Sequence, residues 1–383
     1  MRRHAYSEVT MMTFTQLARD GVKDLAVYEP GRPIEEVARD LGFEDAEQIH
    51  KLASNENPLG PSPAAVKAIT RFARQMHRYP DGGAFYLRHA IAKKLKVDAT
   101  QLLPGCGSNE LIELLGHAFL GPDAGIVMAD RAFVVYRLVA ESFNAPVVMV
   151  PMARFTHDLD AMLQAIRPDT RIVFISNPNN PTGTMVDMVA IDAFMARVPE
   201  HVIVCFDEAY IELLDPAIQP DVLKYVREGR KAVVLRTFSK TYGLAGLRIG
   251  YAVAPEECIG LMNRVRQPFN VSAMAMEAAV AALDDDEFVA RTRRVIEDGL
   301  RQLQVGFTTC GLDYVPSVAN FILVNVGQGR KVFESMLREG VIVRPMDAYG
   351  LPEYIRITVG TAEENQKCLE ALSFALSLSG KKD

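Results

Sequence analysis

No apolar run in this sequence approaches the roughly 20 residues that a membrane span needs, so no transmembrane helix is expected. The start Met1-Arg2-Arg3 resembles the charged head of a signal peptide. The next twenty or so residues mix in His4, Glu8, Thr10, Gln16, Arg19 and Asp20, so no signal is expected either. The 5 cysteines (Cys106, Cys205, Cys258, Cys310 and Cys368) are scattered and contain no CxxC pair, which argues against both a disulfide framework and a zinc site. The 7 histidines show no HExxH spacing, and no metal is expected. A net charge of -6 argues against non-specific nucleic-acid binding. No repeat, low-complexity tract or long linker is present. The default is a soluble cytoplasmic protein with small-molecule partners.

What is there is ample material for a core: 49% of the residues are hydrophobic and 23% charged. At 383 residues the chain exceeds the size at which one core usually keeps growing, so two domains are expected. Residues 1–50 read as an arm with short helical pieces, broken by Pro30, Gly31 and Pro33. The turn-rich segment Ser54-Asn55-Glu56-Asn57-Pro58-Leu59-Gly60-Pro61 precedes a helical pattern at 63–76. From about residue 100, short apolar runs alternate with amphipathic stretches. Strands are expected at Gly125–Ala129, Pro146–Val150, Arg171–Ser176, His201–Phe206, Ala232–Thr237 and Ile249–Ala254. Helices are expected at 133–143, 158–166, 186–197 and 217–228. Continuous Val/Ile-rich runs separated by helices indicate a parallel sheet covered on both faces, an α/β fold. After about 275, helices at 273–305 and 330–339 flank strand patterns at 320–326, 341–344 and 354–359, which suits a smaller α+β domain.

Open parallel sheets bind ligands beyond the carboxyl ends of their strands, so the loops at those ends carry the chemistry. Four of them are unusual. Gly105-Cys106-Gly107-Ser108-Asn109 lets a backbone approach a ligand and opens an apolar helix whose free N–H groups suit a phosphate. The plainer reading is a cap made by Ser108 or Asn109. Asn177-Pro178-Asn179-Asn180-Pro181-Thr182-Gly183 is either a turn or a donor placed directly after a buried strand. Asp207, ending an apolar strand, needs a cation to offset its desolvation, or else serves as a cap or in an ion pair. Arg236 to Gly250 crowds Thr237, Ser239, Lys240 and Arg248 between two apolar strands. A Lys is usually a solvated charge, but a partly buried one can have its pKa lowered and attack an aldehyde. Together the loops offer an amine, an anion for a pyridine nitrogen, donors for a ring phenolate and a phosphate cradle, which is what pyridoxal 5'-phosphate requires. A nicotinamide enzyme would want a glycine fingerprint after its first strand, which is not convincingly present.

These stretches resemble the fold-type I pyridoxal-phosphate enzymes. Asn180-Pro181-Thr182-Gly183, Asp207-Glu208-Ala209-Tyr210 and Ser239-Lys240 to Arg248 match that group's motifs in order. Within the group the chain looks most like the histidinol-phosphate aminotransferases, through Asn55-Glu56-Asn57-Pro58, Arg78-Tyr79-Pro80-Asp81, Leu235 to Lys240, Ala245 to Arg248 and Arg356 to Thr361. The resemblance implies a large domain at 60–275 with a mostly parallel seven-stranded sheet covered by helices, and a small domain at 276–383. Residues 1–59 would form an arm and part of that small domain.

By the same resemblance Lys240 forms the Schiff base and moves the proton, Asp207 keeps the pyridine nitrogen protonated, and Asn180 and Tyr210 hold the phenolic oxygen. Ser108, Asn109, Thr237, Ser239 and Arg248 hold the phosphate, and Phe133 stacks on the ring. Tyr79 reaches the phosphate of a neighbouring subunit, implying a homodimer with shared sites. Arg356 and Arg344 grip the substrate's carboxylate or phosphate, with Asn57 and Tyr349 also in the substrate pocket. For Arg344 the plainer reading is a surface ion pair. Many relatives carry Tyr where this chain has Leu59, a position that shapes the imidazole pocket.

The implied reaction is transamination between L-histidinol phosphate and 2-oxoglutarate, in histidine biosynthesis. Two alternatives use the same scaffold: an aromatic amino-acid aminotransferase, and a decarboxylase of a phosphorylated amino acid. A third, a regulator that senses the cofactor, has no DNA-binding module in the sequence to support it.

Overall fold

The strands of the main sheet are built from near-continuous apolar runs, and in space they lie in the order Leu102–Gly105, Gly250–Val253, Ala232–Thr237, Ile203–Asp207, Thr170–Ser176, Gly125–Ala129, Val147–Val150. These come from a computed structural model that describes residues 12–379 apart from 28–30, 32, 44, 46 and 47. Met1-Arg2-Arg3 and Pro30 lie outside the described residues.

Five neighbouring strands, Ala232–Thr237 through Val147–Val150, run parallel. Gly250–Val253 lies antiparallel to both of its neighbours. The sheet is thus seven-stranded and mostly parallel, as expected, with its antiparallel member at this edge. Leu102–Gly105, a strand the sequence pattern does not reveal, closes the sheet there; it carries Pro104, which an edge position tolerates.

Successive strand residues face opposite sides, and both sides are buried. Val173, Ile175, Val204, Phe206, Val234 and Val253 join one core. Ile172, Phe174, Ile203, Cys205, Val233, Leu235 and Ala252 join the other, under the helices Gly107–Phe119, Val135–Ser142 and Glu256–Val265. Truncating a fully buried ring such as Phe174 to Ala would cost about 3–5 kcal/mol.

A second sheet, wholly antiparallel, has the order Arg344–Pro345, Tyr354–Thr358, Phe321–Asn325, Tyr314–Val315. It has its own core with Ile296, Leu303 and Phe307 of the long helix Asp286–Thr309 and Leu372 of the last helix. The expected strand 341–344 is split: Val341–Ile342 instead pairs in parallel with His50–Lys51. The helical stretch 273–305 is two helices, Ala273–Leu283 and Asp286–Thr309, capped by Ser272 and Asp285. The first of these packs on the Pro63–Phe72 helix and contributes its alanines to the core of the main sheet. The expected helix 217–228 shrinks to Leu223–Arg227, because Pro220 disfavours helical geometry in the residue before it. Among the described residues no helix is long and apolar enough to cross a membrane.

Candidate active site

At the carboxyl ends of the central strands the two sheets enclose a cavity of about 400 Å³, and residues from all four unusual loops line it. Ser108, Asn109, Phe133, Asn180, Asp207, Tyr210, Thr237, Ser239, Lys240, Arg248, Arg344, Tyr349 and Arg356 are all on its wall. One side of the cavity is an anion cradle. The helix Gly107–Phe119 begins earlier than the apolar run indicates. Ser108 and Asn109 lie in its first turn rather than capping it, and its N-cap residue Cys106 makes no side-chain cap. The positive end of this helix faces Arg248, Thr237 and Ser239. Thr237 and Ser239 hold each other: the Ser239 N–H donates to Thr237 Oγ1 at 3.1 Å, and that hydroxyl donates to Ser239 Oγ at 3.0 Å. Gly107 has φ +75°, and a Cβ there would stand 2.6 Å from Arg248 Nη2. Only glycine leaves the guanidinium its place. Gly243 is needed in the same way, since its missing Cβ makes room for the Gly60 backbone under the Lys240 loop.

Asp207, at the end of Ile203–Asp207, is buried without an ion-pair partner among the described residues. Its Oδ2 accepts a 2.6 Å hydrogen bond from the Tyr136 hydroxyl, and its Oδ1 accepts from the Ala209 N–H at 3.2 Å. Burial pushes its carboxyl above the usual range, while Tyr136, Ala209 and the Lys240 ammonium pull it back. A cationic ring nitrogen arriving beside it would add to that pull. The neighbouring Glu208, not Asp207, makes the structural ion pair, with Arg236 at 2.8 Å.

The Lys240 ammonium donates to the Ser54 carbonyl at 3.1 Å and lies 5.8 Å from the centre of the Tyr210 ring. Burial, then the positive charges of Arg356 and Arg248, bring its pKa from 10.5 to about 8, against the opposing pull of Glu56 and Asp207. A neutral amine is therefore accessible near neutral pH, as a nucleophile or base needs. Burial lifts the Tyr210 phenol to about 12, so it stays protonated.

The other end of the cavity belongs to the arginines. Arg344 and Arg356 are directly opposed across the antiparallel pair Arg344–Pro345 and Tyr354–Thr358. Facing residues of such a pair share a side of the sheet, and like charges placed so are destabilising unless an anion joins them. Arg356 is buried, donating from Nη1 to Asn180 Oδ1 at 2.6 Å and from Nη2 to the Ala53 carbonyl at 2.7 Å.

Three of the residues named from the sequence lie off the wall of this cavity. Asn57, expected in the substrate pocket, is not on the wall; its amide donates to the Thr241 carbonyl at 2.8 Å and to Thr292 Oγ1 at 3.2 Å, and its Oδ1 accepts from the Leu59 N–H. Leu59 is not on the wall either. Tyr79 lies away from the cavity, 84% exposed and stacked on Phe269 at 4.9 Å.

Three wall or support residues are not evident from the sequence. Asn55, buried at φ +55°, donates to the Tyr210 hydroxyl at 2.9 Å. Glu56 lines the cavity beside it. Tyr136 sits one helical turn after Phe133 and braces Asp207 from behind. Only the motif Asn55-Glu56-Asn57-Pro58 offers a signal, and it draws attention to the wrong asparagine. Among the described residues no cluster of His, Cys, Asp and Glu could hold a metal.

Comparison with known proteins agrees with this geometry. The family model "Aminotransferase class I and II" matches residues 47–372. A histidinol-phosphate aminotransferase of Akkermansia muciniphila is 53% identical, the match covering 95% of this chain and 100% of that one. Histidinol-phosphate aminotransferase 2 of Pseudomonas fluorescens is 47% identical, covering 95% and 98%. Among solved structures, histidinol-phosphate aminotransferase from Sinorhizobium meliloti in complex with pyridoxal-5'-phosphate has a TM-score of 0.85 at 25% identity, covering 95% and 99%. Aspartate aminotransferase from Thermus thermophilus with maleate, at 22% identity and TM-score 0.79, shares the fold.

Proposed function

The chain belongs to the class I and II aminotransferases, and from that premise we infer that it moves the amino group of L-histidinol phosphate to 2-oxoglutarate, giving imidazole-acetol phosphate and L-glutamate. One observation carries this reading: an amine, a buried carboxylate and two facing arginines, from residues 240, 207, 344 and 356, share one cavity.

Those residues fit pyridoxal 5'-phosphate. The helix start at Gly107, with Arg248, Thr237 and Ser239 on the same wall, suits a phosphate, and the buried Asp207 Oδ atoms suit a protonated ring nitrogen. When bound, the cofactor supplies an aldehyde for covalent capture of an amine and an electron-withdrawing ring.

The roles divide among this chain's own residues. Lys240 provides the amine for attachment and, once released, carries a proton to and from the substrate carbon. Asp207 holds the ring nitrogen's proton, and Tyr136 keeps that carboxylate in place. Tyr210, fixed by Asn55, and Asn180, fixed by Arg356, border the ring oxygen. Phe133, on the same wall, would stack on the ring. Ser108, Asn109, Thr237, Ser239 and Arg248 hold the cofactor phosphate. Arg356 and Arg344, with Tyr349 nearby, take the substrate phosphate in one half-reaction and the carboxylates of glutamate in the other.

The working unit in this proposal is a cytoplasmic homodimer in which the exposed Tyr79 reaches the neighbouring subunit's cofactor phosphate. Residues 60–275 are the cofactor-holding domain in this proposal, and the described residues after 275, with those of the arm before 60, make the smaller part; the Ala273–Leu283 helix spans that seam.

The test is a half-reaction screen on purified protein. L-Histidinol phosphate should discharge the visible absorbance of the bound cofactor and 2-oxoglutarate should restore it. Lys240→Ala should abolish both the absorbance and turnover. A kcat/KM that strongly favours phenylalanine over histidinol phosphate would overturn the substrate assignment, and full activity of the Lys240 variant would overturn the chemistry.

A further inference from the structure

Among the described residues on the cavity wall, four carry positive side chains, Lys240, Arg248, Arg344 and Arg356, and two carry carboxylates. One is Asp207, already committed to the far end of the ring site. The other is Glu56, in the loop that follows His50–Lys51. Resting on the substrate reading above, we propose that Glu56 is the specificity residue for the imidazole ring, accepting the ring N–H that a phenyl ring lacks.

The backbone fixes where this carboxylate stands. Asn55 takes a left-handed conformation, and its side chain is spent on Tyr210 and Thr358. The buried Asn320 amide donates to the Asn55 carbonyl at 2.9 Å and to the Glu56 carbonyl at 3.3 Å. Three elements distant in sequence thus pin two successive residues, and Glu56 is held as a supported site requires. Its Oε1 accepts from Lys51 Nζ at 3.0 Å, and Lys51 is not on the cavity wall. That pair steadies the carboxylate without filling it, since two carboxylate oxygens offer about four acceptor positions. Glu56 lines the same cavity as Lys240 and, with a side chain 44% exposed, keeps acceptor positions open to a ligand.

Charge sorts the substrate's ends. A phosphate or carboxylate is drawn to Arg344 and Arg356 and repelled by Glu56. A neutral ring with an N–H donor meets an acceptor at Glu56. A phenyl ring in the same place would strip water from the carboxylate and return nothing, the situation in which sites built for a hydrogen bond discriminate most strongly.

The experiment compares L-histidinol phosphate with L-phenylalaninol phosphate, which keeps the amine and phosphate but loses the ring nitrogens. It uses the cofactor-loaded wild type and Glu56→Ala. Discharge of the cofactor absorbance by L-glutamate verifies that each protein is folded and loaded. The wild type should prefer histidinol phosphate in kcat/KM, and Glu56→Ala should lose about 10- to 100-fold of that preference, the range expected for one hydrogen bond to a charged group. The loss should come mainly from the histidinol phosphate value. A preference ratio within about two-fold of wild type overturns the role of Glu56 while leaving the substrate reading intact. A wild type that responds to glutamate and never to histidinol phosphate overturns that reading itself.

Discussion

The phenol of Tyr136 donates a 2.6 Å hydrogen bond to the Asp207 carboxylate, and both groups are buried. Tyr136 lies flat against Phe174, with ring centres 4.4 Å apart and planes within 6°, so it has no room to swing away. Burial, and then the charge of Asp207, raise its own pKa well above 10, and it remains the donor throughout the working pH range. The carboxylate proposed to meet a ring nitrogen is therefore aimed by a residue that is not itself on the cavity wall.

Tyr136→Phe should keep the stack on Phe174 and remove only this donor. The loss should be about 1.5–3 kcal/mol of stability, the usual worth of a hydrogen bond to a charged group, and cofactor retention should fall about ten-fold. Thermal unfolding of the loaded and unloaded forms separates the two effects. A lower Tm with unchanged retention would assign Tyr136 to packing alone.

Lys240 makes a pH-dependent prediction. Only the neutral amine can attack an aldehyde, and burial with Arg356 and Arg248 brings the pKa down to about 8. The rate at which cofactor-free protein captures added pyridoxal phosphate should rise with pH and level off above a midpoint near that value. A stopped-flow series would show it; a midpoint close to the ordinary 10.5 would mean that the amine is not held as described.

Gly107→Ala tests the anion cradle. The added methyl would press on Arg248 Nη2 and the backbone is left-handed there, so both the guanidinium and the helix start must shift. The strain amounts to about 1–3 kcal/mol. Titration of the cofactor-free variant should show affinity reduced by about ten-fold or more, with far less change in binding of pyridoxal lacking the phosphate. Equal losses for the two compounds would count against a phosphate at this position.

Glu212 is not on the cavity wall, yet it is an unusual acid. Its Oε2 is buried with no hydrogen-bond partner among the described residues, and burial lifts its carboxyl from 4.5 to about 7 despite Arg236 and Arg293. Between those two values the folded chain holds a proton that the unfolded chain has released. Stability from this group therefore falls as pH rises from 4.5 to 7, and the full penalty applies above 7. Glu212→Gln should match wild type near pH 4 and exceed it at pH 8, by up to about 2–3 kcal/mol. A variant that is less stable at pH 8 than at pH 4, relative to wild type, would contradict this.

Much of the site is legible because the strands that carry it are buried on both faces. Ala232–Thr237 and Gly125–Ala129 begin and end where their apolar runs do, and the polar residues after them have to face a ligand or a partner. What stays hidden depends on distant contacts. Tyr136 looks like any apolar-face residue of an amphipathic helix, and its partner lies 71 positions away. Asn55 and Asn57 are equivalent by composition; a left-handed backbone and a hydroxyl 155 positions away separate their fates. The edge strand Leu102–Gly105 is disguised by Pro104 and Gly105, which read as loop until Gly250–Val253 supplies a partner.

Arg356 ties the smaller sheet to the loop after Thr170–Ser176, since its guanidinium serves Asn180 from a strand in the other core. An acid held by Arg356, as proposed, would have to share or replace that tether. Occupancy of the cavity mouth would therefore bear directly on the guanidinium that joins the smaller sheet to the Asn180 loop.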